Sequence, residues 1–183
     1  MSKLETNTID TISGTTNLTI GSTNSSTVAF ENGAVTGQNY PAFYGRKNGN
    51  QTLTRGSITK ITSLDLNEFD TDSAFDGTTF TVPVTGRYMV SAQIHFNYGD
   101  AGNDGEVSNL YLYKNGSSIM QSFLQHSGSG RDVTKVTIPL NVMVPLAATD
   151  TLELYGRMAD NTASGTLRVV DEETFFSAYR IGA

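Results

Sequence analysis

Cysteine is absent from the 183 residues, and its absence excludes disulfides, thiolate zinc sites and cysteine nucleophiles together. It leaves the redox compartment open. Histidine is scarce: His95 and His126 are the two in the chain, and neither stands in a motif that would build a triad. The serine-rich run Ser127–Gly130 lacks the strand-turn-helix context of a nucleophile elbow. No apolar run approaches the ~20 residues of a membrane-spanning helix. Met1–Asp10 has no hydrophobic signal-peptide region, so synthesis in a cytoplasm without a signal peptide, and no membrane insertion, is the expectation. Lysines and arginines are few and scattered, and the net charge is −6, which argues against a nucleic-acid partner. No stretch of ten residues has helical periodicity, so no glycine-rich phosphate loop opens onto a helix. An all-β, non-enzymatic protein without a cofactor is expected.

One stretch, Phe69–Phe96, organises the rest. Phe80 and Val82 alternate as a half-buried strand requires, and Pro83, with no N–H for the ladder, ends it. Thr85-Gly86 supplies a turn in which Gly86 can take positive φ. Tyr88, Val90, Ala92, Ile94 and Phe96 then alternate without a break. Arg87, Met89, Ser91, Gln93 and His95 occupy a semi-polar second face. His95 itself reads as a strand residue satisfied by its neighbours.

Asn39-Tyr40-Pro41 marks a boundary. Residues 1–40 form an arm rich in Ser, Thr, Asn and Gly, with sparse apolar residues at Ile9, Ile12, Leu18, Ile20, Val28, Phe30 and Val35. Leu18/Ile20 and Val28/Phe30 suggest short strands, but so little apolar surface cannot fold alone. Two readings stay open: a flexible linker, or a segment that orders against other chains, which the β-branched residues favour. Residues 41–183 form the globular domain. Its first strand starts at Ala42, Phe43 and Tyr44, and Asn48-Gly49-Asn50 is a turn. Ile58, Ile61, Leu64 and Leu66 carry the next strands, and Leu110, Leu112 and Ile119 resume the core around an Asn115-Gly116 hairpin. Val136–Val144 is a long strand containing Pro139; Leu152 and Leu154 follow, and Phe175–Ile181 closes the chain. Charge runs at Asp65/Glu68/Asp70/Asp72 and Asp171/Glu172/Glu173 read as solvated loops.

The last strand is apolar on both sides. Phe175, Ser177, Tyr179 and Ile181 lie on one, and Thr174, Phe176, Ala178 and Arg180 on the other. A sandwich buries one face of each sheet, so the second face calls for a partner, and a closed symmetric oligomer is the economical one.

Four ordered motifs resemble the C1q/TNF family. They are Phe75-Asp76 with Thr78–Phe80, Pro83 and Gly86–Tyr88; then Leu112–Gly116; then Val144–Leu152; then Thr174–Gly182. The chain departs in having Thr149 before Asp150, Ala178 where the family has glycine, and a shortened loop between Phe75 and Phe80. The resemblance covers roughly Pro41–Ala183 and implies a jelly-roll sandwich of about ten antiparallel strands. It also implies a compact homotrimer, with the sheet of the first and last strands turned to the three-fold axis. Phe43, Phe176, Tyr179 and His95 are the candidate interface residues.

The arm resembles the Thr/Ser/Asn/Gly-rich starts of bacteriophage fibre and virion proteins. Together these imply a virion structural protein of a tailed bacteriophage, decorating or cementing the capsid or forming a short fibre. Ile9, Ile12, Leu18, Ile20, Val28 and Phe30 would attach it to other capsid or tail components. The alternative is a receptor- or glycan-binding tip mediating host adsorption, with Tyr98, Asp100, Asn103 and Arg131 as contacts, since loops on a rigid scaffold carry such contacts. Asp100, Asn103, Asp104 and Glu106 offer the hard oxygens calcium takes. Their spacing is not that of an EF-hand, and a polar solvated loop is the competing reading, so no metal is expected.

Overall fold

The computed structural model describes residues 40–99, 105–125, 133–160, 166–171 and 173–182. In chain order the strands are β1 (Ala42–Arg46), β2 (Gln51–Thr52), β3 (Thr59–Lys60), β4 (Leu66–Asp70), β5 (Thr79–Thr81) and β6 (Gly86–Asn97). They continue as β7 (Gly105–Lys114), β8 (Ser117–Gln125), β9 (Lys135–Leu146), β10 (Thr151–Asp160), β11 (Arg168–Val169) and β12 (Phe175–Gly182). The strands outnumber the expectation because β2, β3 and β11 are two-residue pairings.

Two antiparallel sheets face each other. In the first, β6 pairs with β9 along its whole length, and on its other side with β12 and then β11. Beyond β12 come β1 and β4, and β2 pairs with β11. The second sheet runs β3-β10-β7-β8, with β5 also on β10. The strict alternation expected of β6 is observed: Tyr88, Val90, Ala92, Ile94 and Phe96 are buried and the intervening residues are not. Across the ladder they meet Val144, Val142, Leu140, Ile138 and Val136 of β9. Leu110, Leu112, Leu152, Leu154 and Met158 supply the facing side of the core.

An aromatic cluster closes one part of that core. Phe43 lies 4.3 Å from Phe75, 4.6 Å from Phe80 and 4.9 Å from Phe176 between ring centroids. Tyr88 packs edge-on to Phe80, and its hydroxyl donates to the Val84 carbonyl at 2.6 Å. Asp76 caps the Phe75–Phe80 loop, accepting from the Thr78 and Thr79 amides. Asp70 accepts from those of Ala74 and Phe75, so part of the acidic run is structural rather than merely solvated.

Several local expectations change. Gly86 is needed for space rather than for positive φ, since a Cβ there would collide with the Arg180 side chain and the Gly182 carbonyl. Ile58, Leu66 and Ile119 are exposed, leaving Ile61 and Leu64 as the core residues of their segment. Pro139 and Pro145 do not break β9, because among the described residues β9 pairs only with β6, and a missing N–H is tolerated on the other edge. Asn115 and Gly116 take φ of 50° and 77°, the left-handed pair of a tight hairpin turn. Lys47 is buried, continuing the inward parity of Phe43 and Gly45. Loss of water lowers its pKa, against the opposing pull of Asp65 and Asp171.

Thr149 stands at φ 74°, in the left-handed region that disfavours a β-branched residue. Its neighbours hold it there. Asp150 receives Lys114 Nζ at 2.8 Å, Asn115 Nδ2 at 2.7 Å and the Ala147 amide at 2.8 Å. The Lys114 hydrogen bond, followed by those of Asn115 and Ala147, holds the Asp150 carboxyl at a pKa of about 2. Replacing Thr149 with glycine should relieve about 1–2 kcal/mol of left-handed strain and forfeit about 0.5–1 kcal/mol of chain entropy. The expected outcome is a urea midpoint raised at unchanged slope. An equal or lower midpoint contradicts it.

Candidate interaction surface

The outer face of the first sheet is where sequence and structure bring unusual residues together. The ladder places them in rows across the strands. Met143, Met89, Tyr179 and Ala42 form one row, and Asn141, Ser91, Ser177, Tyr44 and Phe69 the next. A third row holds Pro139, Gln93, Phe175, Arg46 and Leu66. Met143 is 65% exposed, Tyr179 51% and Phe69 50%, with Ile181 and Leu66 also open. The Tyr44 ring lies 5.5 Å from Phe175 and 6.4 Å from Phe69. Ser91 and Ser177 are small, and on their strands they lie between Met89 and Gln93 and between Phe175 and Tyr179. The polar groups of this middle row satisfy one another: Ser91 Oγ donates to Asn141 Oδ1 at 2.6 Å, and Ser177 Oγ to the Ser91 carbonyl at 3.1 Å.

At the end of this face sits an acid–base pair. His95 Nδ1 lies 2.6 Å from Glu173 Oε2, and Thr137 Oγ1 lies 3.2 Å from each. The hydrogen bond from His95, with help from its charge and from Thr137, holds the Glu173 carboxyl below the usual carboxylate range. A cleft of ≈ 270 Å³ lined by Asn50, His95, Lys135, Val170, Asp171 and Glu173 opens beside it.

A second surface lies on β8, which among the described residues is an edge strand paired only with β7. Phe123 is 62% exposed, and Ile119, Met120 and Leu124 are open as well. Met120 pairs with the buried Leu112, and Leu124 with the buried Ser108. Both therefore share the inward face, yet the sandwich does not close over them. Sequence reasoning missed this edge. The signal was present as apolar residues of both parities in SSIMQSFLQ, the two-faced pattern that singled out β12.

The candidate interface residues divide. Tyr179 and His95 lie on the outer face. Phe43 and Phe176 do not: both are fully buried in the aromatic cluster, since the register places Phe176 opposite Ala92 and Ala178 opposite Val90 and Phe43. A residue with no exposed surface has none to offer a neighbour. Tyr98 is also withdrawn as a receptor contact, being buried with its hydroxyl 2.6 Å from Ser108 Oγ and donating to the Val107 carbonyl at 2.9 Å. Asp100, Asn103, Asp104 and Arg131, the Glu106 side chain, and Ile9, Ile12, Leu18, Ile20, Val28 and Phe30 lie outside the described residues. Among the described residues no three acidic or histidine side chains are grouped as a metal site would need.

No family model matches the chain, and no curated protein matches it in sequence. Solved structures do. Eiger TNF from S. frugiperda superposes with a TM-score of 0.57 at 12% identity, over 78% of this chain and 93% of that one. The globular domain of zebrafish complement 1qA protein gives 0.53 at 16%, over 77% and 97%. Murine APRIL gives 0.57 at 10%, over 78% and 100%. The fold is the two-sheet antiparallel sandwich of the C1q and TNF proteins.

Proposed function

We propose that this chain is a non-enzymatic structural protein of a virus particle, a homotrimer attached through residues 1–40. In a tailed bacteriophage it would decorate or cement the capsid surface or form a short fibre. The observation that carries the trimer is a pair of separate, exposed apolar surfaces on one protomer: the outer sheet face around Tyr179 and the β8 edge around Phe123. Different patches that meet each other form a heterologous contact, which closes into a ring when the rotation allows. Phe123 of one copy would lie over the small Ser91 and Ser177 side chains of the next. The three relatives in fold, a TNF, a complement 1qA domain and APRIL, support a binding module rather than a catalyst.

The particle role is carried by composition. Residues 1–40 hold too little apolar surface to fold alone, and their spaced Ile, Leu, Val and Phe suit strand addition to a partner. Three arms on one trimer act together, so weak individual binding becomes strong. Deleting residues 2–39 should leave a soluble trimer that no longer joins particles. Scrambling the arm at constant composition should do the same. Full occupancy by scrambled-arm protein, counted by electron microscopy of particles, would make the arm a mere tether and move attachment to the globular domain.

The alternative, a receptor- or glycan-binding tip, has one observation in its favour. The connections carrying Asp100, Asn103 and Arg131 leave strands whose ends lie side by side, since Asn97 pairs with Lys135 and Val107 with Gln125.

A further inference from the structure

Most of the outer sheet face carries apolar and small neutral groups, but the His95–Glu173 pair breaks that pattern at its border. The pair is built into the backbone. The His95 amide donates to Thr174 Oγ1 at 2.9 Å, Gln93 Nε2 donates to the Glu173 carbonyl at 2.8 Å, and the Val170 amide donates to the His95 carbonyl at 3.0 Å. The imidazole side chain is 12% exposed while the carboxylate is 55% exposed. Gln93, one step inward on the same face, pairs with Phe175 of the Tyr44 cluster, so the two groups adjoin the apolar surface.

We infer that His95 and Glu173 form a proton-dependent clamp on the association of this face with a second copy of the chain, tighter in mild acid than in alkali. The inference rests on the trimer proposed above. With the imidazole neutral, the pair carries one net negative charge, and a neighbour laid against it strips water from Glu173 at a cost. With the imidazole protonated the pair is neutral, and its charge-assisted hydrogen bond strengthens as water leaves. Association therefore draws a proton to His95. The other charged groups around the pair are Lys135 on β9 and Asp171 before β12, both lining the same cleft, with Arg168 on β11 across the ladder from Asn97 and Arg46 on β1 opposite Phe175. Lysine and aspartate side chains ordinarily keep their charge between pH 5 and 8, the range in which histidine changes. The added stability is therefore present in mild acid, where histidine is generally charged, and lost in alkali. It fades again in stronger acid, once Glu173 itself is protonated.

Subunit exchange between donor- and acceptor-labelled full-length trimers tests this, with sedimentation at each pH to establish the oligomer. Exchange should be at least about tenfold faster at pH 8.5 than at pH 5.5, the effect of a shift of one pKa unit. His95→Gln should exchange at one rate across that range. Glu173→Gln should invert the dependence, because a lone imidazolium is then covered in acid. A wild-type trimer with no pH response, or His95→Gln with the wild-type response, overturns the clamp and leaves the trimer standing. A monomer at every pH overturns both.

Discussion

Tyr179→Asp is expected to turn the proposed trimer into a folded monomer. Tyr179 is half exposed on the protomer, flanked by Ala42 and Met89 on the adjoining strands, so the isolated fold loses little. The cost within a protomer is a strand preference of up to about 1 kcal/mol. In the ring the same change places an unpaired carboxylate in each of three contacts, at about 3 kcal/mol apiece. That is about two decades in affinity per contact and about six for the closed ring. Phe123→Asp should act alike from the other surface. Mixing the two variants offers a sharper test. The edge of the Tyr179 variant and the face of the Phe123 variant remain sound, so one good contact forms, and the mixture should give heterodimers and no trimers. A mixture that rebuilds trimers, or a Tyr179→Asp protein that stays trimeric at micromolar concentration in sedimentation, rules out this arrangement.

Phe43→Ala should have the opposite signature: a large loss of fold stability, with association of the folded chains unchanged. The ring is fully buried and stacks on Phe75 and Phe80, with Phe176 edge-on. Its removal leaves a cavity bounded by other rigid rings, which collapse poorly, so the cost is about 3–5 kcal/mol. Against a total of about 5–15 kcal/mol for a domain, the melting temperature should fall by about 10 °C or more. The monomeric Tyr179→Asp background removes any contribution from assembly. If Phe43→Ala in that background melts within a degree or two of its parent, the aromatic cluster does not hold that part of the core.

These two residues also show where sequence stopped being informative. The alternation in β6 was legible because only one parity is apolar, and it carried the fold with it. In β12 both parities are apolar, so sequence led to the expectation of two covered faces without saying which one is the core. Register decides it: Phe176 is held opposite Ala92, which already points inward. Tyr98 continued the inward parity of β6 from Val90 through Phe96, yet its place beside a polar loop suggested a surface contact. Lys47 continued the parity of Phe43 and Gly45, and its charge concealed that. Thr149 could be seen as a departure from the family motif, whereas its left-handed backbone could be found only from coordinates.

The prolines of β9 have a thermodynamic consequence. With Pro139 and Pro145 on its free edge, β9 lacks two of the amides a neighbouring strand would need, so continuous sheet cannot grow across that side of the sandwich. In the proposed ring two copies are joined by side chains such as Phe123, Met143 and Tyr179 rather than by a ladder of peptide groups. Contacts of that kind carry a negative heat-capacity change on formation, weaken on cooling and feel salt only through the few charges they cover. An assembly joined in this way would then be held least firmly in the cold.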